Sequence, residues 1–150
     1  MDEPEIGTDE MPEASPEPEK EVPSRYRVHL LCDAKPTERG VVYRRAGQRF
    51  LLAWSRVQRV LAAEVGEPEG VRTVVFDLLV ALRGPEAVAC RLDAEPGDAA
   101  AALARALELG VGRERCSPSL RAVAAEGMAT RWYPDLESFG EANLESVRFG

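Results

Sequence analysis

Gly40-Val41-Val42-Tyr43-Arg44-Arg45 and Arg49-Phe50-Leu51-Leu52-Ala53-Trp54, joined by Ala46-Gly47-Gln48, decide the fold. Two apolar runs on either side of a short connection, with a glycine available for positive φ, signal a β-hairpin. The next stretch, residues 55–65, fits two periods. Val57, Val60, Leu61 and Val65 stand at helical spacing, yet Val57 and Val60 around Gln58-Arg59 also suit a strand with an irregularity. The strand is preferred, because Gly66-Glu67-Pro68-Glu69-Gly70 reads as a hairpin turn feeding a long strand over residues 71–82. That strand is rich in β-branched and apolar side chains, among them Val71, Thr73, Val74, Val75, Phe76 and Val80. Arg83-Gly84-Pro85-Glu86 turns the chain, and residues 87–92 return as a further strand.

Upstream, Tyr26, Val28, Leu30 and Cys32 alternate with Arg25, Arg27 and His29, the period of a half-buried strand that residues 33–37 then break. Downstream, Pro96-Gly97-Asp98 opens a helix with Asp98 as its cap, Leu103 and Leu107 at i and i+4, and Gly110 at the exit. Five alanines among residues 99–104 favour the helix and let it lie close to a sheet. Ser117-Pro118 starts a second short helix, ended by Gly127, and residues 134–139 read as one helical turn carrying Leu136 and Phe139. The fold class expected is α+β, mainly β: an antiparallel barrel or sheet capped by one helix, with a short helical C-terminal extension. The divisions are an acidic tail over residues 1–24, the barrel and its helix over 25–110, and the extension over 111–150.

Charge is unevenly spread. Of a total of −7, residues 1–24 hold nine carboxylates against Lys20, a net −8, which leaves +1 for the rest. Pro4, Pro12, Pro16, Pro18 and Pro23 punctuate that tail, and with so little apolar surface to bury it is expected to be disordered. It serves either solubility or as an acidic arm visiting the arginines of its own domain. The remainder, nearly neutral, lacks the strongly basic face of a general nucleic-acid binder. Three cysteines, Cys32, Cys90 and Cys116, argue against a disulfide framework, and neither a secretory signal nor a membrane-spanning run stands out. A cytoplasmic protein is expected.

Strand, hairpin, further meander and one closing helix form the order of elements in pleckstrin-homology-like domains. Residues 40–110 resemble a small bacterial member of that superfamily (PH-like or GRAM-like) in Gly40-Val41-Val42-Tyr43, in the passage from Phe50 to Val57, and in the helix after Asp98. The resemblance covers about half the chain. It implies a twisted, nearly closed barrel plugged by the helix, a binding role, and no catalysis. Lipid-binding members use basic residues of the first hairpin, where Arg44, Arg45 and Arg49 stand here, but the spaced Lys-rich signature of strong phosphoinositide binders is missing. Clustered basic groups contribute roughly 1 kcal/mol each near an anionic membrane, so three imply a weak, salt-sensitive contact. The competing reading is that they are ordinary solvated strand-end arginines.

Reacting groups are sparse. His29 is the only histidine, and on a continuous strand it points away from Cys32, three positions on, which disfavours a shared metal site. The cysteines lack zinc-site spacing and are expected as buried small hydrophobes. Gly110-Val111-Gly112 lacks a third glycine and follows a helix, the wrong context for a dinucleotide loop. Asp77 shares a strand face with Val75 and Leu79 and is expected to face solvent. Arg131-Trp132-Tyr133-Pro134 carries residue types that anchor interfaces, although Trp132 and Phe139 also suit pinning the extension to the core. No catalytic residue, cofactor or metal ligand is assigned.

The expectation is therefore a non-enzymatic binding or adaptor domain recognising a protein segment or an anionic surface. Its contact candidates are Arg44, Arg45, Arg49, Arg56, Arg59, Trp132 and Tyr133. A protein partner and a weak anionic-membrane contact are expected, nucleic acid is not, and oligomeric state stays open. The alternatives are a regulatory subunit with an autoinhibitory acidic N-terminal arm and, ranked last, a small enzyme of unknown class.

Overall fold

The computed structural model describes residues 25–66, 72–80 and 86–149. The acidic tail and the turns expected around residues 66–70 and 83–86 fall wholly or largely outside those residues. The described residues form an α+β fold, mainly strand, with two sheets and three α-helices among them. The strands are β1 (Arg25–Leu30), β2 (Cys32–Pro36), β3 (Gly40–Arg45), β4 (Gln48–Ala53), β5 (Val57–Gly66), β6 (Arg72–Val80), β7 (Glu86–Ala94) and β8 (Trp132–Tyr133). The helices are α1 (Asp98–Val111), α2 (Pro118–Glu126) and α3 (Leu136–Phe149). One sheet runs β1-β7-β6-β5-β8 and the other β2-β3-β4. The chain crosses between them at Leu31 and at the 3₁₀ turn Trp54–Arg56, so the β-layer curls into a half-barrel.

The hairpin forms where expected, with Tyr43 opposite Phe50 and Arg44 opposite Arg49. Its turn is the two residues Ala46 and Gly47, at φ 52° and 81°, the doubly left-handed geometry that matches strand twist. Residues 57–65 resolve as strand, with the irregularity between Val57 and Arg59, while Ser55 and Arg56 lie in the 3₁₀ turn. The break expected at residues 33–37 is instead strand β2, paired with β3 and bulged between Cys32 and Lys35. The chain yields at Leu31 instead, so the first strand splits in two.

Inside the curl, Val41, Tyr43, Leu52, Val60, Phe76, Leu78 and Cys90 meet Ala100, Ala104 and Leu107 of α1 and Leu120 and Val123 of α2. Leu107 is fully buried and Leu103 packs at the edge, so the alanine-rich helix closes on the sheet as its composition suggests. Each of the Val, Leu and Phe side chains among them contributes about 1.5–3 kcal/mol on leaving water. The α1 boundaries differ from expectation. Gly97 occupies the cap position without a side-chain bond, Asp98 is the first helical residue, and Gly112 at φ 98° ends the helix. Gly110 instead lies inside it, where a Cβ would come 2.2 Å from the Trp54 ring. Ser117 caps α2 by accepting from Leu120 N–H at 3.1 Å, and Gly127 closes it in the left-handed conformation.

The second face of the five-stranded sheet is covered too. The helical turn expected at residues 134–139 is a full 14-residue helix, α3, and before it β8 adds to the edge of β5 in parallel. Phe139 drops onto Ala63, Val65 and Val75 and stacks near Tyr133, with ring centroids 5.5 Å apart. This layer corrects the reading of Asp77. It shares a face with Val75 and Leu79, as expected, but that face is roofed rather than solvated, and Asp77 is fully buried. Its Oδ1 accepts from Arg91 Nε at 2.7 Å and its Oδ2 from Arg91 Nη2 at 2.9 Å, Asn143 Nδ2 at 2.9 Å and the Tyr26 hydroxyl. One carboxylate thereby ties β1, β6, β7 and α3 together.

Candidate binding cleft at the hairpin

The guanidinium groups of the hairpin sit where they do because of register. Inward positions of β3 and β4 are Val41, Tyr43, Phe50 and Leu52; the alternate positions, Val42, Arg44, Arg49 and Leu51, form the outer face. A two-residue turn makes Arg45 and Gln48 a hydrogen-bonded pair, which leaves Arg44 and Arg49 in the closer, non-hydrogen-bonded pairing. Two like charges directly opposite repel and destabilise the pair. Neither they nor Arg45 has a carboxylate within 4.0 Å among the described residues. All three are exposed.

Beside the turn a cleft of about 620 Å³ runs between the end of β1 and the hairpin, lined by Val28, His29, Leu30, Asp33, Arg44 and Arg45 among others. Burial, then the charges of Arg27 and Arg45, hold the His29 pKa below its usual 6.5, with Glu86 opposing them. Leu30, 70% exposed, gives the cleft an apolar lip. His29 and Cys32 both border it, contrary to the alternation argument, because the break at Leu31 resets the alternation. Cys32 is exposed, not buried as expected, whereas Cys90 and Cys116 are interior.

The remaining candidates lie elsewhere. Arg56 is on the 3₁₀ turn at the far end of β4, about 20 Å from the hairpin tip by strand rise. Arg59 is on the α3 side of β5 and lines a separate cavity with Arg131 and Tyr133. Trp132 is 51% exposed, with the Arg72 guanidinium 5.3 Å from its ring centroid, so Phe139 rather than Trp132 anchors the C-terminal layer. The five arginines are thus split among three places. His29 was legible in sequence only as a lone histidine; its position beside Arg45 depends on the break at Leu31, which nothing local announces.

Burial, reinforced by Glu108, pushes the Cys116 thiol up to about 11, so it stays protonated at neutral pH. No group of three or more His, Cys, Asp or Glu side chains able to hold a metal occurs among the described residues. No helix among them is long and apolar enough to cross a membrane. Comparison with protein-family models, curated proteins and solved structures found no match, so the functional reading rests on the geometry of the cleft.

Proposed function

We propose that this chain is a non-enzymatic, cytoplasmic binding module of pleckstrin-homology-like type, acting as an adaptor that receives an acidic protein segment at the hairpin cleft. One observation carries the reading: Arg44 and Arg49 face each other in a mutually repulsive cross-strand pair, Arg45 stands beside them at the turn, and none of the three has a carboxylate partner among the described residues. A partner's carboxylates relieve that repulsion and are gripped bidentately by the guanidinium forks. Leu30 supplies apolar contact beside them, and the curled sheet with its closing helix supplies a rigid base. The test is fluorescence anisotropy with a labelled Glu/Leu-alternating peptide, alongside flotation with phosphatidylserine vesicles. The wild type binds the peptide, and the triple variant R44E/R45E/R49E loses it; unchanged binding in that variant removes the reading. Vesicle binding without peptide binding assigns the cleft to membrane instead.

A second reading, the regulatory subunit with an autoinhibitory arm, is favoured by where the acidic segment joins the fold. The stretch of net −8 leads directly into Arg25, and Val28 to Leu30 of the same strand line the cleft. At about 3.3 Å per residue the junction is only about 10–17 Å away. Deleting residues 1–24 then tightens peptide binding at low salt and has little effect at high salt, where exposed charges are screened. Equal affinity with and without the arm rules out competition.

A further inference from the structure

Arg59 and Arg131 line one cavity of about 260 Å³, walled by β5, the start of α2, the approach to β8 and α3. Neither guanidinium has a carboxylate partner among the described residues, and no carboxylate lines the cavity. Its remaining polar side chains include Ser117 and Ser119, only 8% and 4% exposed. Each serine Oγ already accepts a backbone N–H, from Leu120 at 3.1 Å and from Thr130 at 3.2 Å. A hydroxyl whose oxygen is so engaged still has its hydrogen to donate. Neither hydroxyl donates a hydrogen bond to any acceptor among the described residues. Tyr133 and Phe139 add aromatic residues to the lining, and apolar surroundings strengthen charged hydrogen bonds.

We infer that this cavity is a second anion site, separate from the hairpin cleft, that takes a phosphate monoester or free phosphate. Two cationic forks and two hydroxyl donors suit three terminal oxygens carrying close to two charges. A lone carboxylate offers only two oxygens and a single charge. The site draws on both halves of the sequence, since Arg59 is on the central sheet and Arg131 leads into β8, so a bound phosphate braces the C-terminal layer against β5.

Inorganic phosphate titrated calorimetrically into the full chain, at ionic strength held constant with chloride, tests this. Saturable one-to-one binding is expected, weakened about tenfold or more by Arg59→Gln and by Arg131→Gln, as loss of a charged hydrogen-bonding partner implies. Ser119→Ala weakens it less, and R44E/R45E/R49E leaves it intact, which separates this site from the hairpin. Circular dichroism confirms that each variant is folded. O-phosphoserine in a parallel titration separates the sources: equal or tighter binding points to a phosphorylated protein segment, and binding of inorganic phosphate alone to the free anion. Heats no larger than those of chloride, or binding undiminished in both folded glutamine variants, overturn the inference.

Discussion

The two sheets use charge in opposite ways. In the five-stranded sheet, Asp77 and Arg91 face each other across β6 and β7, dry, bidentate and hydrogen-bonded further to Tyr26 and Asn143. In the three-stranded sheet, Arg44 and Arg49 face each other across β3 and β4, exposed and of like sign. The first arrangement is saturated: burial works against the Arg91 charge, yet the hydrogen bonds and charge of Asp77 outweigh it and raise the guanidinium pKa. Burial and the Asp77 charge likewise push the Tyr26 hydroxyl well above its ordinary range, so it remains a donor. The second arrangement is unsaturated and has room for a partner. A cross-strand pair therefore tells its role through coverage: α3 roofs the first sheet, while the outer face of the second is open.

The largest effect separating the two regions is expected at Asp77. Asp77→Ala leaves Arg91 buried without its counter-charge and lowers stability in urea denaturation by about 3–5 kcal/mol, the usual cost of breaking a buried pair. Asn143→Ala removes one donor and the tie to α3, and costs about 1–3 kcal/mol. Neither change reduces peptide binding at the hairpin in the fraction that stays folded, whereas a loss of affinity there couples the sheets and removes the contrast.

A smaller effect lies in pH. His29, facing Arg27 on its own strand, Arg45 on β3 and Glu86 on β7, has a folded pKa below 6.5. Its neutral form is favoured by the fold, so its stabilising contribution is present above that pH and fades as pH falls through the folded value. A bound anion raises the imidazole pKa, so the acidic peptide binds about fivefold more tightly as pH falls from about 8 to about 5, on the order of 1 kcal/mol. His29→Gln flattens that profile; a profile unchanged by the substitution places the anion away from β1. The smallest effect is at the turn. Ala46 sits at φ 52°, where a Cβ is disfavoured, and Ala46→Gly raises stability by about 0.4–1 kcal/mol in thermal unfolding without moving peptide affinity.

The hairpin, most of the strand expected over residues 55–65, the alanine-rich helix and the start of α2 at Ser117-Pro118 were all legible, because each is written in local period or turn chemistry. The C-terminal layer was not. The segment containing Phe139 and Asn143 is helical and covers a sheet face, but its weak pattern reads as a single turn, and so Asp77 read as solvated. A buried carboxylate shows in sequence only if its roof does. The basic cleft was half legible: Arg44 and Arg45 follow from the hairpin, but His29 joins them through a strand break that alternation cannot reveal. Arg59 and Arg131 are 72 positions apart in sequence, and only the parallel pairing of β8 with β5 brings their segments together.

The most direct test of an unsaturated recognition surface is Arg49→Glu, measured for stability and binding together. Replacing the like-charge pair with an opposite-charge one at the same register should raise unfolding free energy by about 0.5–1 kcal/mol while weakening acidic-peptide binding at least tenfold. A variant that is less stable, or that binds the peptide as tightly as the wild type, would contradict the claim that these arginines are held apart from carboxylates in order to receive one.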